Sequence, residues 1–330
     1  MAILASLFFG FIPMFFFAII LYWLDRYEKE PKILLGTVFI WGVVVASAGA
    51  FLINTVLGLG VYLVTGSETA TELTTGSLIA PCVEESLKGL AVLIVFLLFR
   101  REFDSVLDGI IYAGVAALGF AATENSYYIY NYGYAENGWG GFWSLVFVRI
   151  VLVGWQHPFY TSFIGIGLAA ARLNRSLVVK MIAPVIGFGM AVFTHAFHNT
   201  LASFTDGLTG LAFGTFFDWF GWFFMFIFII WVITREGNLL KRHLQEEVTL
   251  GLISAAQYRT AVSIWAQSLA RLKGFFSGRY LTTARFYQVC GELAHKKRQL
   301  IAFGDESGNQ AIIQRLHSEL NQLAPRTESN

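Results

Sequence analysis

The sequence over residues 81–99 reads Pro-Cys-Val-Glu-Glu-Ser-Leu-Lys-Gly-Leu-Ala-Val-Leu-Ile-Val-Phe-Leu-Leu-Phe. Three charged side chains, Glu84, Glu85 and Lys88, stand inside a run that is otherwise apolar and long enough to cross a membrane as a helix. Each charge costs roughly 2.5–3.5 kcal/mol at the centre of a bilayer. Such charges are tolerated when they pair, face a wet cavity or carry out chemistry. The stretch therefore indicates an enzyme or a conduit rather than a simple membrane anchor.

The composition places the chain in a lipid bilayer. Hydrophobic residues make up 56% of the 330 residues and charged residues 14%, whereas soluble domains carry about 25% charged residues. The net charge of +1 points to no charged partner, and we expect no nucleic acid. Cys82 lies in an apolar helix and Cys290 in a polar tail, so no disulfide framework is expected.

Apolar stretches divide the first two thirds of the chain. Each reaches the ~20 residues that a helix needs to cross ~30 Å of hydrocarbon. Their approximate bounds are 2–24, 33–64, 78–99, 109–130, 143–171, 178–204 and 210–233. The pattern predicts an all-α, polytopic membrane helix bundle of about seven transmembrane helices over residues 1–234, followed by a cytoplasmic helical tail over 235–330.

Basic residues alternate between the loops and predict the orientation. The loops at about 65–77, 131–141 and 205–209 contain no Lys or Arg. The loops after the first, third and fifth stretches hold Arg26, Lys29 and Lys32, then Arg100 and Arg101, then Arg172 and Arg175. By the positive-inside rule, the N-terminus is outside, the C-terminus is cytoplasmic and the protein is a multi-pass membrane protein.

Polar side chains from four predicted helices fall at similar depth. At about 1.5 Å per residue, the groups lie roughly 8–14 Å from the outer edge, with one histidine deeper unless its helix begins later. These residues are Glu84 and Glu85, Glu124, His157, and His195 with His198 and Asn199. Their common depth predicts a single polar site in the outer half of the membrane.

The helical spacing allows two interpretations of the charged stretch. Lys88 is four residues after Glu84 and three after Glu85, so it can reach either carboxylate. A helical ion pair that merely permits insertion would explain one glutamate and leave the other unpaired. Two close carboxylates do not both ionise easily in a low-dielectric medium, and a carboxylate poised near neutrality suits a general base.

Four short motifs resemble those of a known family. In chain order they are Glu84-Glu85-x-x-Lys88, Phe120-x-x-x-Glu124-Asn125, His157-Pro158-x-x-Thr161 and His195-x-x-x-Asn199. Their order and their placement on successive buried helices are similar to the PrsW family of intramembrane proteases, over roughly residues 10–235. The resemblance implies a bacterial inner-membrane endopeptidase whose substrate is a membrane-anchored protein, for example one like an anti-sigma factor.

The resemblance is compatible with two mechanisms. In one, Glu124, His157 and His195 hold zinc, and Glu84 or Glu85 deprotonates its water. In the other, Glu84 or Glu85 activates water directly with help from Glu124, while His195 and Asn199 stabilise the oxyanion. The second is favoured, since asparagine is a good oxyanion donor and a poor zinc ligand. Lys88, Asn125 and His198 are expected to support the site.

Two other functional classes remain open from the sequence. Buried Glu and His groups also relay protons in transporters and channels, although no inverted repeat is evident. A membrane immunity or binding protein that uses the fold without catalysis is a weaker alternative.

The tail is chemically different from the rest. Residues 235–330 hold 13 Lys and Arg against 8 Asp and Glu, which suits the anionic inner leaflet. Apolar residues recur at helical steps at Val262, Trp265, Leu269, Leu272 and Phe276, then at Ile312, Leu316, Leu320 and Leu323. We expect amphipathic helices packed on one another or on the cytoplasmic helix ends, with a regulatory role as an alternative.

Overall fold

The computed structural model of the chain describes residues 1–204, 207–305 and 308–328, and every regular element within them is a helix. The chain divides into two compact units, one formed by Met1–Leu24 and Glu30–Phe228, the other by Asp25–Lys29 and Ile229–Asn330. The long helix α10 (Gly207–Thr249) contributes residues to both units. The prediction of an all-α helix bundle is confirmed.

The first unit contains the helices that precede α10. They are α1 (Ala2–Leu24), α2 (Lys32–Ile40), α3 (Ser47–Thr65), α4 (Glu68–Thr74), α5 (Ala80–Leu98), α6 (Val106–Tyr128), α7 (Ala135–Val146), α8 (Gln156–Leu173) and α9 (Leu177–Phe204). Wider π-helical turns join several of them, at Trp41–Ala46, Thr75–Ile79, Ile129–Tyr134 and Phe147–Leu152. Such insertions are frequent at functional sites.

Five helical segments of the described chain are long and apolar enough to cross a membrane. They are Ala2–Leu24, Lys32–Thr65, Val106–Leu173, Leu177–Ser203 and Ala212–Thr249. The segment Val106–Leu173 contains both α6 and α8, and α5 is also long but carries three charged side chains. The polytopic architecture is thus confirmed, while the count of seven crossings and the orientation stay predictions. Residues 205 and 206, in one of the loops used to predict the orientation, lie outside the described residues.

Helix α6 lies at the centre of the first unit. Its N-terminus is capped by Ser105 and Asp108, each of which accepts a hydrogen bond from the other's backbone N–H group, an arrangement that satisfies two N–H groups with no intrahelical partner. Small residues then let neighbouring backbones approach. A Cβ atom added at Gly109 would overlap the carbonyl oxygen of Gly165 in α8. Close contact through small residues is typical of membrane helix packing, and it places the polar side chains of α6 and α8 side by side.

The second unit is built around α13 (Tyr280–Phe303), with α11 (Ala255–Ala261), α12 (Ile264–Phe276) and α14 (Asn309–Glu328). Cys290 of α13 and Leu316 and Leu320 of α14 are fully buried. The Arg285 guanidinium binds both carboxylate oxygens of Glu319, at 2.6 and 2.8 Å, and so ties α13 to α14. The apolar repeat predicted around Leu316 is therefore a packing face.

The two cysteines are free, and they differ in accessibility. Cys82 is exposed and Cys290 is buried, and burial raises the pKa of the Cys290 thiol. A thiol of this kind is unreactive because the thiolate is the reactive form.

Candidate active site

Helix α5 brings its three charged side chains into the interior of the first unit. Pro81 stands in the first turn of the helix. Glu85 and Lys88 are fully buried and Glu84 is 7% exposed. Because these groups are withdrawn from solvent, their partners decide what each of them can do.

Glu85 has a full set of partners. Lys88 Nζ lies 2.5 Å from Oε1, and the hydroxyl of Thr161 in α8 donates to Oε2 at 2.8 Å. His195 Nδ1, from α9, lies 2.9 Å from Oε1. A buried ion pair is stable when further hydrogen bonds satisfy its remaining atoms. Glu85 therefore fixes the positions of α5, α8 and α9 around the site.

Glu84 differs from its neighbour in its partners. Its Oε2 atom is buried and accepts no hydrogen bond from the described residues. It lies 3.9 Å from His195 Nε2, which is beyond hydrogen-bond distance. An unpartnered carboxylate oxygen in a protein interior is costly, so this atom is the feature of the site that calls for a ligand or a reactant.

Glu124, on α6, has charged and polar partners from other elements. Its Oε2 atom forms an ion pair with Arg149 and lies 2.8 Å from His157 Nε2. The Arg149 Nε atom donates to Asn125 Oδ1 at 2.7 Å, and its guanidinium lies over the ring of Tyr128. The π-helical turn Phe147–Leu152 carries Arg149. Arg149 is thus the counter-ion of Glu124.

His157 and His195 each face a carboxylate with one ring nitrogen. His195 uses Nδ1 toward Glu85, and His157 uses Nε2 toward Glu124. A carboxylate accepts the N–H of a histidine and thereby fixes its tautomer. The second nitrogen of each ring is left as an acceptor, and Lys88 Nζ lies 3.4 Å from His157 Nδ1. The two ring centres are 5.4 Å apart.

Three of these residues form a cluster that could hold a metal ion. Glu84, His157 and His195 are all buried, and one ligand atom from each lies within 4.8 Å of the others. The set predicted from the sequence, Glu124, His157 and His195, shares both histidines with this cluster. It differs in the carboxylate, because Glu124 faces Arg149 and Glu84 has the free oxygen.

Asn199 lies on α9 one turn beyond His195, and one N–H of its amide group is already used. The Nδ2 atom donates to the carbonyl oxygen of Gly76 at 2.9 Å. This bond holds the π-helical turn Thr75–Ile79 that leads into α5. Among the described residues, no hydrogen bond or ion pair joins Asn199 to the other predicted catalytic residues. Its predicted role as an oxyanion donor stays a prediction.

Asp218 of α10 is a buried carboxylate that the sequence reasoning missed. Tyr160 Oη donates to its Oδ1 at 2.8 Å, and His198 Nδ1 lies 2.9 Å from its Oδ2. The ring of Tyr160 stacks on the ring of His195, with centres 5.0 Å apart. The available signal was that Asp218 is the one acidic residue in the apolar stretch 210–233, where an ionisable group points to function by default.

The fold and the site together define an integral membrane protein with a glutamate–histidine site buried among its helices. The chain belongs to the PrsW family, because the family model described as PrsW family intramembrane metalloprotease matches residues 30–233. This confirms the family that the four motifs resemble, and with the apolar helices it establishes a multi-pass integral membrane protein.

The chain is also similar to a curated protein, the protease PrsW of Clostridioides difficile (strain 630). The two are 36% identical over 129 residues, which is 36% of this chain and 52% of the relative. The chain therefore spans about half the length of this relative. No solved structure matches the chain.

Proposed function

We propose that the chain is an intramembrane endopeptidase that cleaves a membrane-anchored protein. The observation that carries the proposal is the buried, unpartnered oxygen of Glu84 beside His157 and His195. The family and the relative named a protease both support the reaction class. A substrate like an anti-sigma factor is a narrower proposal that rests on the family resemblance alone.

The donor set fits a zinc ion. One carboxylate oxygen and two histidine nitrogens are common zinc ligands, and three protein ligands with one open position are typical of catalytic zinc sites. The unpartnered Glu84 oxygen and the family's description as metalloproteases both support a metal. When bound, zinc supplies a Lewis acid for the peptide carbonyl and an activated water.

The other residues then act on the ligands rather than on the substrate. Glu85 accepts a hydrogen bond from His195 Nδ1 and Glu124 accepts one from His157 Nε2, so each ring is oriented with its other nitrogen as an acceptor. For His157 that nitrogen, Nδ1, lies 3.4 Å from Lys88 Nζ. Carboxylate–histidine pairs of this kind fix the tautomer and raise ligand basicity. Lys88 and Arg149 balance the charges of Glu85 and Glu124.

Glu84 is the central residue of the metal-free mechanism as well. Without an ion, its free oxygen is the acceptor for the proton of the attacking water. The metal-free mechanism also relies on an oxyanion donor, and among the described residues the predicted donor Asn199 bonds to Gly76 and to none of the other predicted catalytic residues. We therefore propose the metal-bound form.

The test is cleavage of single-pass substrates by the full chain reconstituted in liposomes. We expect Glu84→Gln to abolish cleavage, because Gln keeps the size of the side chain but neither binds zinc well nor accepts a proton. Glu72→Gln, at an exposed position of α4, is the matched control and should cleave at the wild-type rate. Cleavage by Glu84→Gln at the wild-type rate would refute the proposal.

A further inference from the structure

Helix α12 turns its apolar side outward. Trp265, Leu269, Leu272 and Phe276 recur at helical steps and thus lie on one face. Trp265 is 83% and Phe276 80% exposed, and the two leucines are 53% exposed. We call these four residues the outward stripe.

The inward face of the same helix is polar and small. Gln267 is buried, and its amide donates to the carbonyl oxygen of Ala261 at 2.7 Å and accepts from Arg271 at 3.0 Å. A Cβ atom added at Gly274 would lie 2.9 Å from Thr283 Oγ1 of α13. Helix α12 therefore packs on α13 at Gly274, while Gln267 bonds to the end of α11. This is the reverse of a soluble amphipathic helix, whose apolar face points to the core.

The apolar surface extends beyond the outward stripe. Phe275 of the same helix and Tyr280 and Leu281 after it are also exposed, at 65%, 45% and 81%. A contiguous apolar patch of this kind marks an interaction site. Aromatic side chains at its two ends, Trp265 and Tyr280, are the type enriched at membrane–water interfaces.

The charge of the region favours one kind of partner. Between Val248 and Gly291 the sequence contains no Asp or Glu and five basic residues, Arg259, Arg271, Lys273, Arg279 and Arg285. Lys273 is exposed next to the outward stripe, and Arg279 lies in the turn between α12 and α13. A basic helix with an exposed Trp, Leu and Phe face is the pattern of helices that lie in the interface of an anionic membrane.

We propose that the outward stripe of α12 inserts into the surface of an anionic lipid bilayer, with Lys273 and Arg279 at the headgroups. Each basic residue near an anionic surface adds attraction that falls off within a Debye length. The inference is independent of catalysis, because it concerns the second unit alone.

The test uses the full chain, one molecule per lipid nanodisc, so that a second copy cannot cover the stripe. A spin label is attached at Leu269→Cys in a Cys82→Ser background, since the Cys290 thiol is buried and unreactive. In discs containing phosphatidylglycerol, we expect the label to collide several-fold more often with oxygen than with a water-soluble nickel complex. The matched label at Gln314→Cys, an exposed position of α14, should show the opposite preference.

Two outcomes would overturn the proposal. Free access of nickel to the Leu269→Cys label would mean that the stripe faces water. Protection from both reagents would mean that protein covers the stripe. A second comparison tests the charges: Lys273→Gln/Arg279→Gln should raise nickel access at Leu269→Cys several-fold, whereas Arg315→Gln/Arg326→Gln, exposed on α14, should not. Equal nickel access in the two charge variants would remove the role given to the headgroups.

Discussion

The ring of Tyr160 lies against His195, and Asp218 holds its hydroxyl group. At the scale of single residues, this contact holds His195 in place together with the hydrogen bond that His195 Nδ1 makes to Glu85. A carboxylate inside a membrane protein needs partners; Tyr160 donates a hydrogen bond to one oxygen of Asp218, and His198 Nδ1 lies 2.9 Å from the other. The three residues therefore orient the site without belonging to the proposed metal set.

We expect Asp218→Ala to lower kcat by about 10²-fold, the loss typical of a misplacement of about 1 Å. KM should change little, because the substrate contacts remain. Asp218→Asn, which keeps an acceptor for Tyr160, should restore part of the rate. In a double-mutant cycle, the effects of Asp218→Ala and Tyr160→Phe should be non-additive. Additive losses would mean that the two residues act separately.

Metal content distinguishes the metal-bound mechanism from the metal-free one. We expect purified wild-type protein to contain stoichiometric zinc, and His195→Ala to lose both the zinc and the activity, because one of three protein ligands is gone. Asn199→Ala should keep its zinc. Elemental analysis beside a cleavage assay measures this. Active, zinc-free wild-type protein together with a loss of about 10²–10³ in rate for Asn199→Ala would instead support the oxyanion mechanism.

At the scale of helices, the site depends on the close contact between α6 and α8. A Cβ atom at Gly165 would overlap the carbonyl oxygen of Gly109, and α8 carries His157, Tyr160 and Thr161. Since neither backbone can yield locally, a larger residue at Gly165 has to separate the helices.

We therefore expect Gly165→Ala to destabilise the protein by about 1–3 kcal/mol, the usual range for overpacking. Gly60→Ala is the matched control. It lies in the helix α3, and a Cβ atom there meets nothing within 4 Å, so alanine should be neutral or stabilising. Thermal unfolding in detergent measures both. Equal unfolding midpoints for the two variants would contradict the packing argument.

The sequence predicts the elements better than it predicts their partners. Apolar runs identify the membrane helices because lipid requires about 20 apolar residues per crossing. The spacing of Glu84, Glu85 and Lys88 lets the lysine reach either glutamate. Which glutamate it binds depends on Thr161 and His195, from two other helices, and no local pattern encodes that choice.

The apolar stripes of α12 and α14 show that the same limit holds in the tail. The two stripes have the same helical period and look alike in the sequence. Leu316 is nevertheless buried inside the second unit, whereas Leu269 is exposed. Periodicity identifies a stripe but not what covers it. In α12 the deciding residues are Gln267 and Gly274, whose close contacts with neighbouring backbone and side chains fix the opposite face inward.

At the scale of the whole molecule, the orientation remains to be measured. The alternation of basic loops predicts that the N-terminus is outside and the C-terminus cytoplasmic. Reporter fusions at residues 70, 135 and 207 should read external, and a fusion at residue 240 should read cytoplasmic. A cytoplasmic signal from the fusion at residue 135 would reverse the arrangement, because the basic loop at Arg100 and Arg101 would then face outward.

During synthesis the ribosome adds Glu124 before it adds Arg149 or His157, the two residues that contact its carboxylate. Arg149 and His157 follow it by 25 and 33 residues, and α8 ends at Leu173. At a synthesis rate of ~5–20 residues per second, α6 waits roughly 2–9 s for the complete α8 to leave the ribosome. At the same rate Arg149 is added roughly 1–5 s and His157 roughly 2–7 s after Glu124, and before the first of them the carboxyl group has neither its cation nor its imidazole. We therefore expect the nascent chain to keep Glu124 protonated or beside the insertion machinery until α8 arrives.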